Sequence, residues 1–90
     1  MELRHIRYFK AVAEEKNFTK AAEKLAIAQP PLSRQIQDLE AELGTPLFIR
    51  SPHKVTLTEE GELFLQYASQ ILDLVNRSEE ELKEMKEGLQ

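Results

Sequence analysis

From Glu59 onward the chain reads as one long amphipathic helix. Phe64, Ala68, Ile71, Val75, Ser78, Leu82, Met85 and Leu89 follow one another at alternating spacings of four and three. This is a heptad seam of nearly four repeats, with one polar lapse at Ser78. Such a helix is on the order of 40 Å long at 1.5 Å per residue. In a chain of 90 residues its far end has no core of its own to enter, so the seam requires a partner helix. Dimerisation is the economical solution.

Size and composition narrow the rest. Ninety residues allow one small domain, or a domain with an appendage, and a modest core. There is no cysteine, which excludes disulfides, thiolate metal sites and a cysteine nucleophile. No stretch approaches the roughly 18 apolar residues of a membrane span, and "MELRHIRYFK" lacks the pattern of a signal peptide. A soluble, cytoplasmic protein without membrane contact is expected. The net charge of −4 argues at first against nucleic-acid binding, but its distribution does not. Residues 1–58 hold nine Lys/Arg against seven Asp/Glu, or +2, and residues 59–90 hold three against nine, or −6.

The first 58 residues divide by helical periodicity and stop signals. Leu3, Ile6, Phe9, Val12 and Ala13 predict a helix from about Leu3 to Glu15. Asn17 suits an N-cap for a short second helix opening at Phe18 and containing Ala21, Ala22 and Leu25. A third helix is expected to begin at Pro30. Leu32, Ile36, Leu39 and Leu43 lie on one narrow stripe of it, with Pro30, Arg34, Gln37 and Ala41 opposite and Ser33 on one shoulder. Gly44 is placed for a left-handed stop and Pro46 prevents continuation. "PLFIR" and "KVTL" predict a small hairpin with Pro52 in its turn. Thr58 is the expected N-cap of the last helix, with Glu59 and Glu60 at the positive end of its dipole. Gly61, in the first turn, has no sequence-level explanation.

Three helices, a hairpin and a long helix make a mainly α winged helix-turn-helix: residues 1–58 as the domain, 59–90 as a linker and dimerisation helix. The third helix carries the case for DNA. The first N–H groups of any helix lack internal partners, so two prolines there lose little and set the chain direction abruptly. With no capping side chain in the way, the tip can enter a groove. Proline rings can touch a thymine methyl, Gln29 can pair with adenine, and Arg34 can grip guanine O6 and N7. A solvated three-helix bundle is the competing reading, with Arg34 paired to Asp38. A protein-interaction module that uses the seam and binds no DNA is another. An enzyme is not expected: His5 and His53 lie in different elements, and no phosphate loop, nucleophile arrangement or metal-ligand cluster appears. No cofactor is expected.

The ordered set "FT-x-AA-x-x-L", "QPPLSRQI", "LE-x-ELG", "LF-x-R" and "LT-x-x-G", running without a gap from about Leu3 into the final helix, resembles the N-terminal domain of the LysR-type transcriptional regulators. "MELRHIRYF" with "AQPPLSRQIQ" is especially similar to members controlling aromatic-compound catabolism. The resemblance implies a homodimer on an interrupted inverted repeat in double-stranded DNA, third helices in successive major grooves and wings on flanking DNA. Gln29, Pro30, Pro31, Ser33 and Arg34 become base and backbone readers, and Gln37 joins them by its direction on the helix. Thr19 and Lys20 would hold phosphate; Arg50, His53 and Lys54 are the wing candidates.

Two departures from the family pattern bear on loops. Lys16 stands where glycine is frequent, and Ala28 where serine is. The family also often has arginine near His53, so wing binding is expected to strengthen as the pH falls through the ordinary histidine range. In the family the final helices pack antiparallel; the heptads alone allow either direction, with Phe64, Ala68, Ile71, Val75, Leu82 and Met85 on the seam. Leu63, Phe64, Tyr67 and Ile71 could also serve the domain core. Full-length members continue into a two-lobed domain that binds a small-molecule inducer, so this chain is expected to be a fragment. Operator sequence, inducer, and activation versus repression are not legible here.

Overall fold

The computed structural model describes residues 1–88. Four helices and one hairpin follow in the order α1 (Leu3–Glu15), α2 (Phe18–Leu25), α3 (Gln29–Leu43), β1 (Phe48–Ser51), β2 (Lys54–Leu57) and α4 (Glu59–Gly88). Local chemistry sets the boundaries. Asn17 caps α2, its Oδ1 accepting from the Lys20 amide at 2.8 Å. α1 ends at Lys16 in the left-handed region, φ 55°, which explains why glycine suits that position; a lysine there carries about 1–2 kcal/mol of backbone strain. Gly44 stops α3 at φ 76°.

α3 starts one residue before the expected Pro30. Ala28 is its N-cap, with no side-chain hydrogen bond, and the Leu32 amide makes the first helical bond to the Ala28 carbonyl at 3.4 Å. Pro30 and Pro31, at the second and third helical positions, carry no N–H. Of the first three positions only Gln29 therefore has a donor left over, and a capping side chain has little to satisfy.

The core lies where α1, α2 and α3 meet, closed by the start of α4. Phe9, Val12, Ala21, Leu32, Ile36, Leu39 and Leu47 are buried there. All four phenylalanines form one chain of ring contacts: Phe64 to Phe9 at 4.9 Å, Phe9 to Phe48 at 5.2 Å, and Phe48 to Phe18 at 6.0 Å between centroids. They link α4, α1, β1 and α2. The hairpin is antiparallel, pairing Phe48 with Leu57 and Arg50 with Val55.

Thr58 caps α4 as expected: its Oγ1 accepts from the Gly61 amide at 2.9 Å and donates to the Pro46 carbonyl at 2.8 Å. Gly61 now has its reason. A Cβ there would stand 2.1 Å from the Leu47 carbonyl oxygen and 3.0 Å from Leu57 Cδ2, so only glycine lets α4 approach the strand entry.

The seam of α4 is corrected in its first half. Ala68 is fully buried in its own chain, and Phe64 packs on Phe9 while remaining half-buried, so the core claims Ala68 outright and Phe64 in part. Val75 is half-buried. The apolar residues left outside are Leu63, Tyr67, Leu74, Leu82 and Met85, each more than half exposed. The reason is that both flanks of this helix are apolar at the domain end, and the domain takes one of them. Leu89 lies outside the described residues. α4 runs about 45 Å at 1.5 Å per residue and accounts for the 56 Å long axis of the molecule. Among the described residues, no helix is long and apolar enough to cross a membrane, and no group of His or acidic side chains could hold a metal ion.

Candidate nucleic-acid interface

The front of α3 is open. Pro30, Pro31, Arg34 and Gln37 are exposed, and Gln29 and Ser33 are half-buried on its shoulder. The expected rival pairing of Arg34 with Asp38 is not formed: ion pairs among the described residues involve Arg4, Lys10, Lys24, Arg50 and the N-terminus as cations, and not Arg34. The same holds for Lys16, Lys20 and Lys54. Lys10 and Lys24, by contrast, are tied to Glu14 and Glu15 on α1. Arg34 on the front of α3 is thus uncompensated, although Glu40 and Glu42 of the same helix are paired, with Arg50 and the N-terminus. An uncompensated cation on an open helix face attracts a polyanion.

Thr19 and Lys20 are exposed at the start of α2. A shallow cleft joins that helix start to the wing tip and brings together Thr19, His53 and Lys54 with Lys16 and Asn17. Lys20 is not on its lining. The sequence reading missed Lys16 and Asn17 as members of this group, although they adjoin Thr19 in the chain. Amides at a helix start together with lysines suit a phosphate.

Arg50 is placed differently from expectation. It does not reach out from the wing. Its Nη1 donates to Ser33 Oγ at 2.9 Å, its Nη2 lies 3.9 Å from Glu40 Oε1, and its Cζ stands 4.3 Å from the centroid of the Phe18 ring. Glu40 is itself held: its Oε2 accepts from the amides of Leu47 at 2.7 Å and Phe48 at 3.2 Å. The signal was in the strand period. Residues two apart in a strand share a face, so Arg50 lies on the side of buried Phe48, while Ile49, 57% exposed, points away.

A helix pair with an open second member, a hairpin wing beside it and a long helix behind match a known domain. The model of the bacterial regulatory helix-turn-helix protein, lysR family, matches residues 3–62. The chain belongs to the LysR family. Among its LysR relatives, the HTH-type transcriptional regulator BenM of Acinetobacter baylyi is 61% identical over 77 residues, covering 86% of this chain and 25% of that protein. The chain therefore spans about a quarter of the length of that regulator. Among solved structures, the BenM DNA-binding domain in complex with catB site 1 DNA superposes with a TM-score of 0.94 at 55% identity, covering 97% of this chain and 98% of that one. The CbnR DNA-binding domain in its DNA complex gives 0.90 at 44% identity, with 96% and 99% covered. The winged helix-turn-helix and long linker helix expected from the sequence are thus the fold of this LysR-family chain.

Proposed function

We propose that this chain is the DNA-binding head of a bacterial transcriptional regulator, reading an interrupted inverted repeat in double-stranded DNA as a homodimer. The carrying observation is the open front of α3, on which Arg34 makes no ion pair. The DNA complexes of two LysR-family heads of the same fold support it. In this reading α3 enters the major groove, which admits a helix. Gln29, Pro30, Pro31, Ser33, Arg34 and Gln37 face the bases and adjoining backbone. Thr19, Lys20, Lys16, His53 and Lys54 hold phosphates, which positions the head without specifying sequence. Residues 1–58 carry recognition and residues 59–90 carry pairing. The role is binding and not catalysis, in the cytoplasm, with a small-molecule inducer acting only through the remainder of a longer protein.

Pairing uses the exposed stripe of α4. Leu63 and Met85 stand eleven residues either side of Leu74, with Tyr67 seven before it and Leu82 eight after. Two antiparallel copies crossing at Leu74 therefore set Leu63 against Met85 and Leu74 against its copy, with Tyr67 and Leu82 one residue out of register.

Selection of bound duplexes from a random DNA pool tests the reading, with wild type and Arg34→Ala run in parallel. Wild type is expected to enrich an interrupted inverted repeat, and Arg34→Ala to lose it at a cost of about 1–3 kcal/mol per half-site. A dimeric wild type that enriches nothing would return the chain to the interaction-module reading.

A further inference from the structure

We infer that Arg50 is a positioning residue that makes the Ser33 hydroxyl an obligate hydrogen-bond donor at the DNA-facing shoulder of α3. The inference rests on the DNA reading above and adds what Ser33 can recognise. A serine hydroxyl has one donor and two acceptor positions. In helices that donor commonly turns back to a carbonyl three or four residues earlier, as Ser78 does to Val75 at 2.7 Å. Ser33 does not: among the described residues its hydroxyl donates to no group, and its oxygen accepts from Arg50 Nη1 at 2.9 Å. A guanidinium bond polarises the hydroxyl. The adjacent positive charge also opposes a second donor approaching the same oxygen.

The guanidinium is held in place from three sides. The Phe18 ring lies under its carbon at 4.3 Å, Glu40 faces Nη2 at 3.9 Å, and Ser33 takes Nη1. Glu40 is fixed in turn by two backbone amides at the entry to β1. Arg50 is thus committed to the protein on all its faces that the fold reaches, and its side chain is only 33% exposed. Ser33 is left able to donate and poorly able to accept. It selects an acceptor: purine N7, guanine O6 or thymine O4 at a base edge, or a phosphate oxygen. It disfavours the amino groups of cytosine and adenine.

The test measures binding to the selected duplex, to duplexes with each base pair exchanged, and across a salt series. The proteins are wild type, Ser33→Ala, Arg50→Lys and the double variant. Arg50→Lys keeps the charge and loses the fork. The expected result is that each single variant loses affinity by about 3- to 10-fold, the size of one hydrogen bond. The double variant is expected to lose no more than the greater single loss. The salt slope should stay that of wild type, since a neutral hydroxyl releases no counterion, whereas a Lys or Arg lost from a phosphate lowers it by about 0.9. Loss confined to one base-pair position in each half-site assigns a base-edge acceptor; equal loss on all duplexes assigns a phosphate oxygen. Losses that multiply in the double variant, or an Arg50→Lys variant that binds as wild type does, would overturn the inference. Urea unfolding of the same four proteins without DNA separates the two levels. Non-additive midpoints uphold the Arg50–Ser33 bond even if no duplex is selected, in which case the DNA reading fails and the donor assignment with it. Additive midpoints overturn the bond itself.

Discussion

Gly61 and His53 stand at opposite ends of what a single residue can decide. At Gly61 the missing side chain is the point, because α4 meets the Leu47 carbonyl where a Cβ would have to be. Gly61→Ala gains about 1 kcal/mol of helix propensity but forces overpacking against backbone, which costs about 1–3 kcal/mol or more. The clash wins, and urea unfolding should show a net loss of stability. His53 is exposed at the wing turn beside Lys54, where its ring N–H can donate to a phosphate oxygen. His53→Ala is expected to weaken binding to the selected duplex by about 2- to 10-fold, the size of one hydrogen bond, and by the same factor on all duplexes. An unchanged dissociation constant would remove His53 from the interface.

Each element begins or ends for a reason found within a few residues of its boundary, and α4 shows how such a reason reaches further. Thr58 both caps α4 and donates to the Pro46 carbonyl, so it anchors the long helix to the segment that enters the wing. Thr58→Ala should cost about 1 kcal/mol, typical of a lost N-cap, measured as a lower urea midpoint. The wing itself rests on the Arg50 brace and on the Phe48–Phe18 ring contact, which tie it to the helix pair it flanks. α3 needs no cap because its prolines remove the donors a cap would satisfy. The abrupt, uncovered start of that helix is thus stable in itself and leaves its tip open.

For the whole molecule the decisive feature is that α4 serves two masters along its length. One flank, with Phe64, Ala68 and Leu72, closes the core, and the other, with Leu63, Tyr67 and Leu74, stays outside. Leu82→Asp is expected to weaken the dimer in sedimentation or light scattering without unfolding the domain, since Leu82 is 66% exposed. DNA affinity should then fall through lost avidity. The direction of pairing can be read by cross-linking in this cysteine-free chain. Leu63→Cys mixed with Met85→Cys should form a heterologous disulfide if the helices are antiparallel, and Leu63→Cys alone should do so if they are parallel.

The order and extent of the elements were legible in the sequence because helix periodicity, caps and turn residues are local signals. α1 and α2 fall where those signals put them, α3 is displaced by one residue, and the first hairpin strand starts two residues after the expected "PLFIR" does and takes in Ser51. The motif set that resembles LysR-type regulators is likewise written in residue order, and the family followed from it. The open residues of the α3 front were also legible, because the apolar stripe on its back is unambiguous. Other facts depended on what lies opposite in space. The sequence could not say which flank of α4 the core would claim, since both are apolar and only packing against Phe9 separates them. It could not explain Gly61, whose neighbour Leu47 belongs to another element. Nor did it place Arg50 under Ser33 and over Phe18, although the strand alternation hinted at its face. Local chemistry determines where helices start and stop; which of their side chains remain free for a partner is settled only when the elements pack and fill one another's surfaces.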